Sequence, residues 1–90
     1  MKVVIERIFN GHVDLTADTV EHLHEFAKSA KLGKRSQFRN IKYRPHYRIE
    51  NHSDYVKCIK KGAMLVTPPQ FMRWMDIWHT PEELNKIVLR

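Results

Sequence analysis

Val3, Val4, Ile5, Ile8 and Phe9 open the chain as an apolar run interrupted only by Glu6 and Arg7. β-Branched and aromatic residues in such a run predict a strand over Lys2–Phe9, closed by the turn dipeptide Asn10-Gly11. Apolar residues at consecutive positions, rather than alternate ones, predict a strand covered on both faces and therefore central in its sheet. The pattern then changes period. Val20, Leu23, Phe26, Ala27 and Ala30 recur at spacings of three and four, which predicts a helix over about Asp18–Leu32. Asp18 is the expected cap, with Glu21 as its capping-box partner and Thr16 as a competing cap. Gly33 is the expected C-terminal stop. Acids early in this helix and Lys28 and Lys31 late in it match the helix dipole.

Lys34-Arg35-Ser36-Gln37 reads as a cationic loop with Phe38 anchoring its far end. Strict alternation follows from Ile41 to Ile49. Ile41, Tyr43, Pro45, Tyr47 and Ile49 take one parity, and Lys42, Arg44, His46 and Arg48 take the other. On a strand, period two sends these sets to opposite faces. Pro45 lacks an N–H for the ladder, which predicts an edge strand or a bulge at that point. Asn51-His52-Ser53-Asp54 reads as a polar turn. Tyr55–Ile59 and Ala63–Val66, rich in Tyr, Val and Ile, predict a β-hairpin around Lys60-Lys61-Gly62. The rival is a short helix from Ser53 or Asp54, stopped by Gly62.

Two helix starts close the chain. Thr67-Pro68-Pro69-Gln70 offers a cap, a proline at the first helical position and a capping-box Gln. Phe71, Trp74, Met75 and Trp78 then form an apolar stripe. Thr80-Pro81-Glu82-Glu83 repeats the signal ahead of Leu84, Ile87 and Val88, with His79 as the hinge between them. The expected order is β-α-β-β-β-α-α. This predicts one domain over residues 1–90, of α+β class, with a small antiparallel sheet and helices packed on one face.

Composition adds little until charge is considered. The chain has 90 residues, 42% hydrophobic content and a formal charge of +6. The charge is unevenly placed. Lys28, Lys31, Lys34, Arg35, Arg39, Lys42, Arg44 and Arg48 supply half of the 16 Lys and Arg, with no acid between Glu25 and Glu50. A basic stretch threaded with Phe38, Tyr43, His46 and Tyr47 points to a polyanion contact. The expected nucleic-acid-binding residues are Lys34, Arg35, Arg39, Lys42, Arg44, His46 and Arg48, extended by Lys57, Lys60 and Lys61 if the hairpin folds alongside. Because the tyrosines take the parity opposite the cations, contacts to the phosphate backbone should dominate over base stacking. A blander role for cations on an edge strand is protection against edge-to-edge pairing.

Other chemistry is weaker. Cys58 is the single cysteine, which excludes an intramolecular disulfide, and its apolar neighbours make it a packing residue rather than a nucleophile. His22 and His24 are two apart on a helix and point in different directions, so they make no zinc pair. No metal and no cofactor is implied. The N-terminal apolar run is too short for a secretory signal, and no run approaches the roughly 18 residues of a membrane span. A cytoplasmic protein without membrane contact is expected. A helix-turn-helix over Thr67–Arg90 would place Glu82 and Glu83 where base contacts are made.

These observations favour a small basic protein that binds RNA or other nucleic acid, self-associated as a homodimer. One alternative is a phage-type or accessory inhibitor or adaptor that binds a host protein or a protein–RNA complex. Another is a small metal-independent endoribonuclease, with His46 between Arg44 and Arg48 and with His52 or Tyr47 nearby.

Overall fold

The computed structural model describes residues 2–41 and 44–78. In chain order these form β1 (Val3–Glu6), β2 (Val13–Ala17), α1 (Val20–Ser29), β3 (Ser36–Ile41), β4 (Arg44–Ile49), α2 (His52–Lys60), β5 (Met64–Val66) and α3 (Pro68–Trp78). The strands build one sheet in the order β3-β4-β2-β1-β5. β1–β2, β2–β4 and β3–β4 are antiparallel pairs, whereas β1–β5 is parallel. The fold is α+β, as expected. The sheet is mixed rather than antiparallel because β5 reaches β1 through a helix and not through a hairpin.

β1 explains the layering. Val3 and Ile5 join Leu15, Leu23, Phe26, Ile49 and Cys58 in the core beneath α1 and α2. Val4 points the other way and packs with Val66, Phe71 and Met75. A strand that is apolar on both faces needs a cover on both, and α3 supplies the second. The helices therefore lie on both faces of the sheet, not on one.

β2 carries an alternation that the sequence pattern left unassigned. Val13, Leu15 and Ala17 face the core, while Asp14 faces the other side of the sheet. Thr16, expected as a helix cap, is instead fully buried, and its Oγ1 donates to the Pro45 carbonyl at 2.9 Å. This contact accounts for Pro45, which sits in an interior strand rather than at the predicted edge. Pairing between β2 and β4 runs only from Val13↔Ile49 to Leu15↔Tyr47. Pro45 lies beyond that ladder, so no backbone partner on β2 requires its missing N–H, and Thr16 satisfies its carbonyl.

α1 starts at Thr19, whose Oγ1 accepts from His22 N at 3.1 Å; Asp18 instead holds His22 Nδ1 at 2.7 Å. The helix ends earlier than Gly33. Lys31 adopts a left-handed φ of 54°, and bonds from Lys31 N to Lys28 O and from Leu32 N to Ala27 O close the last turn.

α2 replaces the expected hairpin. Asn51 Oδ1 caps it by accepting from Asp54 N at 2.8 Å. Gly62, at φ 101°, ends it, with bonds from Gly62 N to Ile59 O and from Ala63 N to Cys58 O. The β propensity of Tyr55, Val56 and Ile59 yields to these two caps and to burial of Asp54, Tyr55 and Cys58 on one helical face. Only the second half of the predicted hairpin survives as a strand, β5.

α3 begins as its signal predicted. Thr67 N donates to Gln70 Oε1 at 2.9 Å, and Gln70 N donates to Thr67 Oγ1 at 3.4 Å. Phe71, Trp74 and Met75 pack on the sheet. The second terminal helix and the His79 hinge lie outside the described residues. Among the described residues, no helix is long and apolar enough to cross a membrane.

Candidate nucleic-acid interface

The loop between α1 and β3 is tied to α2 by one buried carboxylate. Asp54 Oδ2 accepts from Gly33 N at 2.8 Å, Ser36 Oγ at 2.6 Å and Asn51 Nδ2 at 3.1 Å. Lys57 Nζ lies 3.3 Å from Asp54 Oδ1. Burial alone would raise the Asp54 pKa. The bonds from Ser36, Gly33, Asn51 and Lys57 outweigh that effect and hold it below the usual carboxylate value. Lys34 and Arg35 stand between the two loop residues that Asp54 grips, and both are exposed. Their backbone is thereby held beside the first turn of α2, whose last turn and cap carry Lys57, Lys60 and Lys61.

Those three lysines were expected on a hairpin. On α2 and its cap they fall at i, i+3 and i+4, a spacing that brings them to one side of a helix. They meet the end of α1 across a cleft of about 480 Å³ lined by Ser29, Ala30, Lys31, Lys57, Lys60 and Lys61. Among the described residues its lining holds four lysines and no acid. Lys57 also donates to the Lys31 carbonyl at 3.2 Å, bridging the two helix ends. Lys31 enters the site in a left-handed conformation that costs a non-glycine residue about 1 kcal/mol or more. Sequence reasoning counted Lys31 in the basic stretch but not among the site residues. The Lys-x-x-Lys-Lys spacing would have located the other three only after α2 was assigned as a helix.

The remaining predicted residues lie elsewhere. Arg39 pairs with His46 across β3 and β4, and Gln37 pairs with Arg48. Their strand neighbours Phe38 and Tyr47 contact His24 of α1. Alternation therefore sends Arg39, His46 and Arg48 to the opposite face. The expected parity is present, but acids share that face. Asp14 lies directly across from Arg48 in the β2–β4 ladder and 4.0 Å from His46 Nε2. Arg48 Nε lies 3.1 Å from Glu50 Oε1, though not aligned for a hydrogen bond. Arg44 opens β4 opposite Ile41, and Lys42 lies outside the described residues. Five of the seven predicted residues can therefore be placed, and they are divided between two regions. Lys34 and Arg35 are exposed on the loop that Asp54 ties to α2, while Arg39, His46 and Arg48 belong to a mixed-charge sheet surface.

Two aromatic groups flank the helices. Phe38, Tyr47 and His24 form a cluster, with ring centroids 4.6 Å apart for His24–Phe38 and 5.5 Å apart for Phe38–Tyr47, and with His24 Nδ1 2.8 Å from Tyr47 Oη. At the start of α2, His52 packs edge-on against Phe9 and Tyr55. The candidate ribonuclease groups are consequently not assembled. His46 and Tyr47 point to opposite faces, and His52 is engaged in its own aromatic cluster. No known protein family, curated protein or solved structure matches the chain.

Proposed function

We propose that this α+β protein binds nucleic acid through its sugar–phosphate backbone, using the cationic end where α1, the loop over residues 31–35 and α2 meet. The observation that carries this reading is the cleft lined by Lys31, Lys57, Lys60 and Lys61 with no acid in its lining, Lys57 alone of the four being paired with Asp54, together with the exposed Lys34 and Arg35 on the loop that Asp54 anchors. Lysines at helix C-termini also offset the partial negative charge of the last carbonyls. That role accounts for one or two cations per helix. It does not account for four lysines from two helix ends lining one cleft. The sheet-face groups His46 and Arg48 take a smaller part, because Asp14 and Glu50 compete for them.

Pulldown from cells, with and without nuclease, tests the reading. Polynucleotide should be recovered with the protein and should disappear on nuclease treatment. Recovery of one protein partner that survives nuclease, with no nucleic acid in the untreated sample, would overturn it in favour of an inhibitor or adaptor.

A further inference from the structure

The aromatic cluster adds a second element to the cationic end. Phe38 lies on β3, the edge strand of the sheet, two residues beyond Ser36 and therefore roughly 7 Å from the residue that Asp54 anchors. Its ring packs against His24 and Tyr47, yet the residue remains 39% exposed. His24 is held against the hydroxyl of Tyr47, which orients its ring beside that of Phe38. Lys28 follows His24 by one helical turn, roughly 6 Å along the same side of α1. Lys34 and Arg35 precede β3 directly. A partly exposed aromatic ring packed against two others, with Lys28 one turn along α1 and Lys34 and Arg35 leading into its strand, is an arrangement that can take an unpaired base while its phosphates meet the cations. A base inside a duplex has no free π face to offer.

We propose that the protein's ligand is single-stranded polynucleotide, with a base stacked on Phe38 beside His24 and the flanking phosphates on Lys28, Lys34 and Arg35. This rests on the backbone-binding reading above and narrows it from any polyanion to an unpaired strand. The expectation that aromatic and cationic groups use different faces is met only for the sheet arginines. Lys28 follows His24 along one side of α1, and Lys34 and Arg35 lead into the strand that carries Phe38.

The test compares binding of the full chain to a short fluorescein-labelled oligouridylate, the matching oligothymidylate and a short RNA duplex. Phe38→Leu keeps an apolar side chain over Tyr47 but removes the π face; Phe38→Tyr keeps the face. Cys58 reports folding in each variant, because its thiol is fully buried and is pushed up to about 12 by burial and by nearby Asp54, so it resists alkylation while the fold persists. Wild type should prefer the single strands. Phe38→Leu should weaken the tighter-bound strand roughly tenfold and leave the duplex unchanged, and Phe38→Tyr should bind like wild type. The tighter of the two strands names the sugar. Wild-type affinity of Phe38→Leu for that strand overturns the stacking assignment and leaves backbone binding standing, and equal losses on strand and duplex also overturn it. Failure of the wild type to bind any of the three probes overturns both proposals.

Discussion

Asp54 is only 3% exposed, and its carboxylate fixes the loop that presents Lys34 and Arg35. Asp54→Asn removes the charge that gathers three donors and a lysine, at an expected cost of about 2–3 kcal/mol in urea unfolding. The sign of its pH dependence follows from its depressed pKa. The stability it contributes is fully present above the unfolded value of about 3.9 and is lost as pH falls through the lower folded value. The gap between wild type and Asp54→Asn should therefore narrow on acidification below about pH 4. A gap that is constant with pH would contradict a charged Asp54. None of this was legible locally. Asn51-His52-Ser53-Asp54 reads as a polar turn, and the partners Gly33 and Ser36 lie 21 and 18 positions away.

Among the elements, those with a strong local signal were readable. The continuous apolar run signalled β1 and its cover on both faces, though β2 rather than β1 is the central strand; the three-and-four spacing signalled α1, and the Thr67–Gln70 box the start of α3. Two elements were obscured, for physical reasons. β2 is five residues long, and Asp14 and Thr16 dilute its apolar pattern. α2 is built from residues of strand propensity and depends on its caps. The end of α1 supplies a test at this scale. Lys31→Gly relieves the left-handed conformation and should raise stability by roughly 0.5–1 kcal/mol, the strain relieved less the added flexibility of the unfolded chain. The same change should weaken nucleic-acid binding, because it removes a cation from the cleft. Gain of stability without loss of binding would remove Lys31 from the interface.

For the molecule as a whole, the concentration of charge was legible but its division between two faces was not. The stretch from Lys28 to Arg48 contains no acid, yet β2 brings Asp14 across from Arg48, while Lys34 and Arg35 stand on a loop that Asp54 ties to α2. Lys57, Lys60 and Lys61, distant in sequence, join Lys31 in a cleft whose lining holds no acid, with Asp54 paired to Lys57 beside it. The central claim is that this cationic end, rather than the arginine-bearing sheet face, meets phosphate. It is tested most directly by the salt dependence of binding to a single strand, measured for wild type, Lys60→Gln/Lys61→Gln and Arg39→Gln/Arg48→Gln. Loss of two phosphate contacts should make the slope of log K against log salt shallower by about 1.4 in the lysine variant, with a smaller change in the arginine variant. An unchanged slope in the lysine variant, or a larger change in the arginine variant, would contradict it.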